Sequence, residues 1–297
     1  MSRAGFVGLA GRPNVGKSTL VNSLVGHKVA ITSEVPQTTR RAVRGIAESP
    51  EGDAQIILVD LPGVQRPRDV LTQRMQRRVE RELGGSDAVL FLLNAEQGVG
   101  PGDRFIAGVL LGAGVGVPVI CAVNKIDRLR SPGVAEVLAA AADLPVVDEV
   151  FPISARTGTG LQALCSRLGE LMPEGPDLYP RSSHSDQASE VLLAELIREQ
   201  VIRRTRDEIP HSVEVSVNEI EERDDGLVTV HAHVWADTES QKGILVGKGG
   251  QMVRDIGTGA RRELERELGA HVHLDLSVRV RRGWRGDDDL LDRLGID

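Results

Sequence analysis

Five short apolar runs punctuate the first part of the chain: Phe6–Ala10, Ile56–Val59, Ala88–Leu93, Val117–Val123 and Val146–Ile153. Each is nearly continuous rather than alternating, which marks a strand buried on both faces. Helix-like stretches separate and follow them, at Ser18–Val25, Val70–Leu83, Asp103–Leu111, Val134–Ala142 and Leu161–Leu171. Strands alternating with helices predict an α/β domain over residues 1–172, with a mostly parallel sheet and helices on both faces. Ligands in such sheets settle at the carboxyl ends of the strands. The residues that follow each apolar run are therefore the first candidates for chemistry.

The pattern changes at Met172-Pro173-Glu174-Gly175-Pro176 and stays irregular through Tyr179-Pro180 and the polar run Arg181–Asp186. Residues 173–187 read as a linker by composition. A helix is predicted over about Ala188–Arg206, then two alternating strands carrying Val213, Val215 and Val217 and then Val228, Val230 and Val234 on one face. Asp224-Asp225-Gly226 is a turn signal between them. A short helix near Gln241–Val246, the loop Gly247-Lys248-Gly249-Gly250, a helix Gln251–Leu268 and a strand with Val272, Leu274, Leu276, Val278 and Val280 on one face complete a smaller α+β domain over 188–285. Residues 286–297 form a tail.

Composition narrows the picture. Aromatic residues are only 2% of the chain, so the cores must be built from Val, Leu, Ile and Ala. The net charge of −7 argues against indiscriminate nucleic-acid binding by bulk charge. All of that excess lies from Arg181 onward, because the first 180 residues carry equal numbers of each sign. Cys121 and Cys165 have no metal-binding spacing and read as buried thiols. Met1-Ser2-Arg3-Ala4 runs into a strand with no signal-peptide pattern, and no apolar run reaches the ~18–20 residues of a spanning helix. A soluble, cytoplasmic monomer is expected, with peripheral membrane contact left open.

Four segments at strand ends carry the chemistry. Gly11-Arg12-Pro13-Asn14-Val15-Gly16-Lys17-Ser18 fits the phosphate-binding pattern G-x-x-x-x-G-K-S between a strand and a helix. Its glycines let backbone N–H groups point at phosphate oxygens, and the helix N-terminus adds a positive dipole end. Lys17 can neutralise the β- and γ-phosphates, and Ser18, followed by Thr19, offers a hydroxyl to Mg²⁺. Asp60-Leu61-Pro62-Gly63 supplies a carboxylate for the metal and a Gly63 N–H for the γ-phosphate. In Asn124-Lys125-Ile126-Asp127 the Asp127 carboxylate can accept from guanine N1–H and its 2-amino group, which adenine cannot match. Ser154-Ala155 can present a backbone N–H to guanine O6.

With Gln37-Thr38-Thr39-Arg40 and Gly247–Gly250 added, and Trp284 beyond them, the chain resembles the Era family of bacterial GTPases over nearly its whole length. The resemblance implies a P-loop GTPase domain followed by a type II KH domain. It makes Gln37–Arg41 the first switch loop, with Thr39, or alternatively Thr38, completing the Mg²⁺ shell, and Asp60–Gly63 the start of the second. The family usually has Thr after this aspartate, where the chain has Leu61. Many GTPases orient water with a Gln after the glycine. Val64 stands there, and Gln65 is one residue late. Related GTPases bind a monovalent cation near a P-loop Asn, so K⁺ held partly by Asn14 is expected to assist the transition state. Lys17, Thr39, Gly63 and Asn14 are the residues expected to act in hydrolysis, with low intrinsic turnover.

The loop Gly247–Gly250 fits the G-x-x-G of a KH domain, which clamps about four nucleotides. Lys242, Lys248, Arg254, Arg261 and Arg262 are expected around it, and Arg279, Arg281, Arg282 and Arg285 near the last strand. The residues alone leave RNA binding open against a solvated charged face. The resemblance implies binding to 16S ribosomal RNA near its 3′ end and a role in assembly of the 30S subunit. His231 with His233, and His271 with His273, read as polar residues on an open sheet face, with a metal site as the alternative. Trp284 is left between stacking on a base and packing in the fold. Two other readings stand beside the GTPase switch: an RNA-docking protein with a structural nucleotide, and a GTPase with a membrane or cell-cycle role.

Overall fold

The computed structural model describes residues 2–36, 38–64, 70–112 and 116–293. The first part contains β1 (Arg3–Gly11), α1 (Lys17–Val25), β2 (Val43–Glu48), β3 (Ala54–Asp60), α2 (Val70–Gly84), β4 (Ala88–Asn94), α3 (Pro101–Gly112), β5 (Val119–Asn124), α4 (Ser131–Ala142), β6 (Glu149–Pro152) and α5 (Leu161–Leu171). The six strands form one sheet in the order β2-β3-β1-β4-β5-β6. All neighbours are parallel except β2 against β3. The continuous apolar runs are buried on both faces, as the pattern requires. Val7, Leu9, Leu58, Leu90 and Ile120 pack on one side of the sheet, and Val59, Phe91, Leu93 and Val123 on the other. The cysteines lie in these layers, and burial pushes their thiols up, to about 12 for Cys121 and about 11 for Cys165.

Two differences from the sequence reading concern sheet edges. The strand β2 was not predicted, because Arg44 and Gly45 interrupt its short apolar pattern. Pairing with β3 supplies the order that its own sequence does not, and β2 ends the sheet at one edge. At the other edge, β6 has only four residues, so Val146 and Val147 precede the strand rather than join it.

The linker composition does not make the connection loose. Pro173 accepts from the Ala4 N–H at 3.1 Å, Gln55 Oε1 accepts from the Leu178 and Tyr179 N–H groups at 2.9 Å each, and His184 accepts from the Ile46 N–H at 2.9 Å. The segment is thus laid along the first domain and hydrogen-bonded to it.

The second part contains α6 (Ser189–Arg204), α7 (Ile209–Ser212), β7 (Glu214–Glu222), β8 (Val228–Ala236), α8 (Glu239–Val246), α9 (Gln251–Leu268), β9 (Val272–Val280) and α10 (Asp288–Arg293). Its sheet runs β7-β8-β9, with β7 antiparallel and β9 parallel to β8. The inward faces of Val215, Val230 and Val234 meet Ile197 and Val201 of α6 and Ile256, Ala260 and Leu264 of α9. His231 and His233 reach across to β9 instead, with Nδ1 atoms 3.0 Å from Asp275 Oδ2 and 2.8 Å from Ser277 Oγ. Among the described residues, no group of three or more His, Cys, Asp or Glu is placed to hold a metal ion. Nor is any helix long and apolar enough to cross a membrane.

Candidate functional site

The turn from β1 into α1 is shaped by Gly16, which caps α1 at φ 102°. A Cβ there would stand 2.4 Å from the Asn124 Nδ2, so both backbone conformation and space call for glycine. The α1 N-terminus therefore opens against the phosphate end of a cavity, where unpaired N–H groups favour an anion. Lys17 is buried in the turn, and its Nζ lies 3.2 Å from the Gly11 carbonyl and 3.3 Å from that of Arg12. Burial pulls its pKa down while Asp60 opposes that shift. Gly63 packs so close to the turn that an added Cβ would be 2.8 Å from Pro13 N.

Ser18, Thr39 and Asp60 converge beside Lys17. Ser18 Oγ donates to Asp60 Oδ2 at 2.5 Å and lies 3.1 Å from Thr39 Oγ1. Thr39 Oγ1 is 3.5 Å from the same carboxylate oxygen. The other oxygen, Asp60 Oδ1, is buried with no hydrogen-bond partner. Burial raises the Asp60 pKa, against the effects of Lys17, Ser18 and Thr39. Two hydroxyls and a buried carboxylate with an unmet acceptor fit a hard divalent cation such as Mg²⁺.

The other end of the cavity is knitted by Asn124. Its Nδ2 donates to the Val15 carbonyl at 2.9 Å, and its Oδ1 accepts from the Ala155 N–H at 2.9 Å. Lys125 adopts a left-handed conformation at φ 67° and bonds the Asn14 carbonyl at 2.8 Å. Three separate segments are thereby fixed around one space. Asp127 Oδ1 accepts from Ser154 Oγ at 2.6 Å, and Oδ2 pairs with Arg156 at 2.6 Å. The Ser154 bond, with Arg156 beside it, holds the Asp127 carboxyl below its ordinary value. From Asp127 to Gly16 and Thr19 the cavity measures about 780 Å³, the size of a small-ligand site. A smaller one of about 60 Å³ continues past Lys17 to Thr39 and Gly63. Asn14 Nδ2 donates to the Glu34 carbonyl at 2.6 Å, which sets the expected K⁺ residue against the segment leading into the first switch.

In the second domain, Gly247, Gly249 and Gly250 all have positive φ, at 71°, 60° and 79°. Lys248 is the one side chain carried between them. Arg254 turns back on this loop, donating to the Gly249 carbonyl at 2.6 Å and the Gly250 carbonyl at 3.2 Å. Lys242 stands on α8, its Nζ 3.9 Å from Glu239. Arg261 and Arg262 lie further along α9, roughly 15 Å from its start at the usual helical rise, so they do not surround the loop as expected. Arg261 instead joins Arg254 and His273 along a hollow of about 350 Å³ between α9 and β9.

The two sites are joined by the segment that holds Thr39. The buried Arg40 guanidinium donates to the Val213 carbonyl at 2.6 Å and pairs with Glu214 at 2.8 Å. Arg41 pairs with Glu214 at 3.2 Å and with Glu195. Arg198 of α6 donates to the Thr38 carbonyl and pairs with Glu195 at 2.6 Å. Ile31 enters the core of the second domain. Trp284 is fully buried and donates to the Ser212 carbonyl at 2.9 Å. It packs with Leu71 and Met75 of α2 and Leu291 of α10. Its role is therefore packing between the domains, not stacking on a base.

A family model described as a 50S ribosome-binding GTPase matches residues 6–125, and a KH domain model matches residues 208–285. The chain is 45% identical to the GTPase Era of Mycobacterium bovis (strain BCG / Pasteur 1173P2) over 297 residues, covering 99% of this chain and 98% of the relative. The chain belongs to the Era family of GTPases. The Mycolicibacterium smegmatis Era is 44% identical, with 99% of each chain covered. An Aquifex aeolicus Era variant bound to GDP and AlF₄⁻ superposes with a TM-score of 0.94 at 36% identity, covering 99% of both chains. An Era structure in complex with MgGDPNP and nucleotides 1506–1542 of 16S ribosomal RNA gives a TM-score of 0.95 at 36% identity, covering 100% of this chain and 99% of that one.

Within this Era-family chain, Leu61, where the family usually has Thr, and Val64, where many other GTPases have Gln, are both explained by burial. Leu61 is fully buried and Val64 nearly so, both in the layer packed on β3 and β4. Val64 also donates its backbone N–H to the Gly11 carbonyl at 3.3 Å. These side chains are structural and orient no water. Gln37 and Gln65 lie outside the described residues. Sequence reasoning missed Arg156, Ile202 and Arg203, all of which line the larger cavity. Arg156 follows Ser154-Ala155 directly and could have been noted. The other two come from α6, which no local pattern ties to this site.

Proposed function

We propose that this chain is a GTP-hydrolysing switch whose KH domain binds 16S ribosomal RNA near its 3′ end and assists assembly and rRNA processing of the 30S subunit in the cytoplasm. The division into a GTPase domain (1–172), linker (173–187), KH domain (188–285) and tail (286–297) belongs to this reading. The phosphates lie against Gly11–Thr19, with Lys17 on the β- and γ-phosphates and Gly63 N–H on the γ-phosphate. Ser18, Thr39 and Asp60 hold Mg²⁺, which supplies positive charge to the developing phosphoryl transition state. Asn124, Lys125, Asp127, Ser154 and Ala155 select guanine. Asn14 helps to hold K⁺, which supplies positive charge to the transition state, where Val64 offers no group to orient water. On the RNA side, Gly247–Gly250 allow close backbone approach, and Lys242, Lys248 and Arg254 supply charge, with Arg261 along the adjoining hollow.

The observation that carries the switch is the placement of Thr39. It faces Ser18 and Asp60, while the next two residues are buried against Glu195 and Glu214 of the second domain. Loss of a γ-phosphate contact at Thr39 cannot be absorbed locally and acts on α6 and β7. Because α6 packs on α9, which begins at the glycine loop, the same movement reaches the RNA site.

The test is GTP turnover by the intact protein in KCl and in NaCl, with and without an oligonucleotide of the 16S rRNA 3′ end. Lys17→Ala serves as the control. Turnover that needs Lys17, is faster in KCl and changes with RNA supports the proposal. Turnover indifferent to the oligonucleotide would remove the coupling, and equal rates in the two salts would remove K⁺.

A further inference from the structure

The cavity of about 780 Å³ is not made by the first domain alone. Its base end is formed by Asp127 and Arg156 and its phosphate end by Gly16 and Thr19, and between them runs the segment Thr32–Val35. Beside that segment stand Ile202 and Arg203, from the last turn of α6. A nucleotide with its base on Asp127 and its phosphates on the α1 N-terminus places its ribose between these ends.

The carboxylate of Glu199, one turn before Arg203, fixes this wall. It is fully buried. Its Oε2 meets Lys28 Nζ at 2.6 Å, and its Oε1 accepts from the Thr32 N–H at 3.1 Å and forms an ion pair with Arg203, with Nη2 at 3.0 Å. Lys28 also reaches Glu263 of α9 at 3.4 Å. One buried anion thus ties together the first-domain wall, the second-domain wall and α9. Charge-assisted bonds of this kind are short and directional. The Arg203 side chain keeps 48% of its surface exposed, so it can reach a bound ligand without being part of the core.

We propose that the guanine-nucleotide site is a two-domain site. In it, Arg203 donates to the ribose or the adjoining phosphate, and Glu199 is the positioning residue that holds Arg203 and Thr32 in place. The proposal rests on the nucleotide reading above and deepens it. The γ-phosphate end lies elsewhere, at Thr39 and Gly63, so the second domain retains GDP as well as GTP. By linkage, any RNA that displaces α6 weakens nucleotide binding, and bound nucleotide weakens binding of that RNA by the same factor.

The experiment is release of fluorescent GDP from the intact protein, chased with excess GDP. The variants are Arg203→Ala, Arg203→Lys and Glu199→Gln, with Lys17→Ala and Asp127→Asn as controls. A hydrogen bond to a charged group corresponds to roughly a tenfold change or more, reduced here by exposure. Arg203→Ala is therefore expected to release GDP about three- to tenfold faster with an unchanged thermal midpoint, and Arg203→Lys to recover part of the loss. Glu199→Gln is expected to release GDP at least as fast. Wild-type release from Arg203→Ala, while Lys17→Ala and Asp127→Asn still weaken binding, overturns the two-domain site alone. If those controls also bind normally, the nucleotide reading itself has failed.

Discussion

Replacing Glu214 with Gln tests the junction on which the switch depends. Its carboxylate is fully buried between Arg40 at 2.8 Å, Arg41 at 3.2 Å and Arg198 at 3.8 Å. Burial alone would raise its pKa. The three guanidinium groups overcome that and hold it down, from 4.5 to about 2. A depressed carboxyl stabilises the fold at all pH values above its unfolded pKa, and that contribution is lost as pH falls from about 4.5 to about 2. At ~1.4 kcal/mol per pKa unit it amounts to roughly 3 kcal/mol. Removing one member of a buried charge cluster costs on the order of 3–5 kcal/mol, because its partners are left uncompensated. Arg40 is already pushed down to about 10 by burial, so it tolerates the loss poorly. The assay is urea unfolding followed by tryptophan fluorescence, since Trp235 and Trp284 both lie in the second domain. With a urea slope of roughly 1–3 kcal/mol/M, Glu214→Gln should lower the midpoint by about 1 M or more at pH 7. Acidification toward pH 2 should cost the wild type more than the variant. A variant midpoint equal to wild type at pH 7 would refute the reasoning.

Two further outcomes test the nucleotide site. Mg²⁺ added with GDP should raise the thermal midpoint of the wild type clearly more than that of Asp60→Asn, because a cation relieves the cost of a buried carboxylate whose Oδ1 has no partner. Equal shifts would remove Asp60 from the metal site. Asp127→Asn should weaken GTP binding by about 10- to 100-fold. It should recover affinity for xanthosine triphosphate, whose 2-oxygen accepts from the new amide, as read by competition against fluorescent GDP. Failure of xanthosine triphosphate to compete better with the variant would place the base elsewhere.

The parts of the site that were legible in the sequence are those whose chemistry is local. Gly11–Ser18 is one contiguous turn, and its function lies in backbone conformation that Gly16 and Gly11 announce by identity. Asp60, Asn124–Asp127 and Ser154-Ala155 each end a strand, and a parallel sheet brings strand ends together regardless of loop detail. The edge strand β2 was not legible, since Arg44 and Gly45 break its pattern and only β3 orders it. Arg254 is expected around the glycine loop, but the sequence does not show that its guanidinium turns back to the Gly249 carbonyl. Trp284, beside Arg282 and Arg285, is left by the sequence between stacking and packing, because its ring closes against Leu71 and Met75, more than two hundred positions earlier in the chain. The β2 pairing and the packing of Trp284 are tertiary contacts, about which a segment's own periodicity carries no information.

The chemistry of the domain junction bears on why it can switch. A permanent junction would be expected to bury a broad apolar face, because hydrophobic area is the dominant source of association energy. Here the segment that leads into and includes the first switch contributes Ile31 and the partly buried Val35 to the second domain's core. Most of its remaining grip consists of Arg40 and Arg41 against Glu195 and Glu214. Desolvation offsets much of the Coulomb attraction in such a cluster, so an intact set is worth little net while a broken one is costly. The docked arrangement is thus sharply defined in register without being deep in energy. Thr39 lies one residue from Arg40 and shares its backbone. A few kcal/mol of differential contact at Ser18, Thr39 and Asp60 is comparable to what the junction holds in reserve, and an equilibrium can be shifted only by a difference of that size. An apolar junction of equal area would hold the RNA site in one position whatever nucleotide was bound.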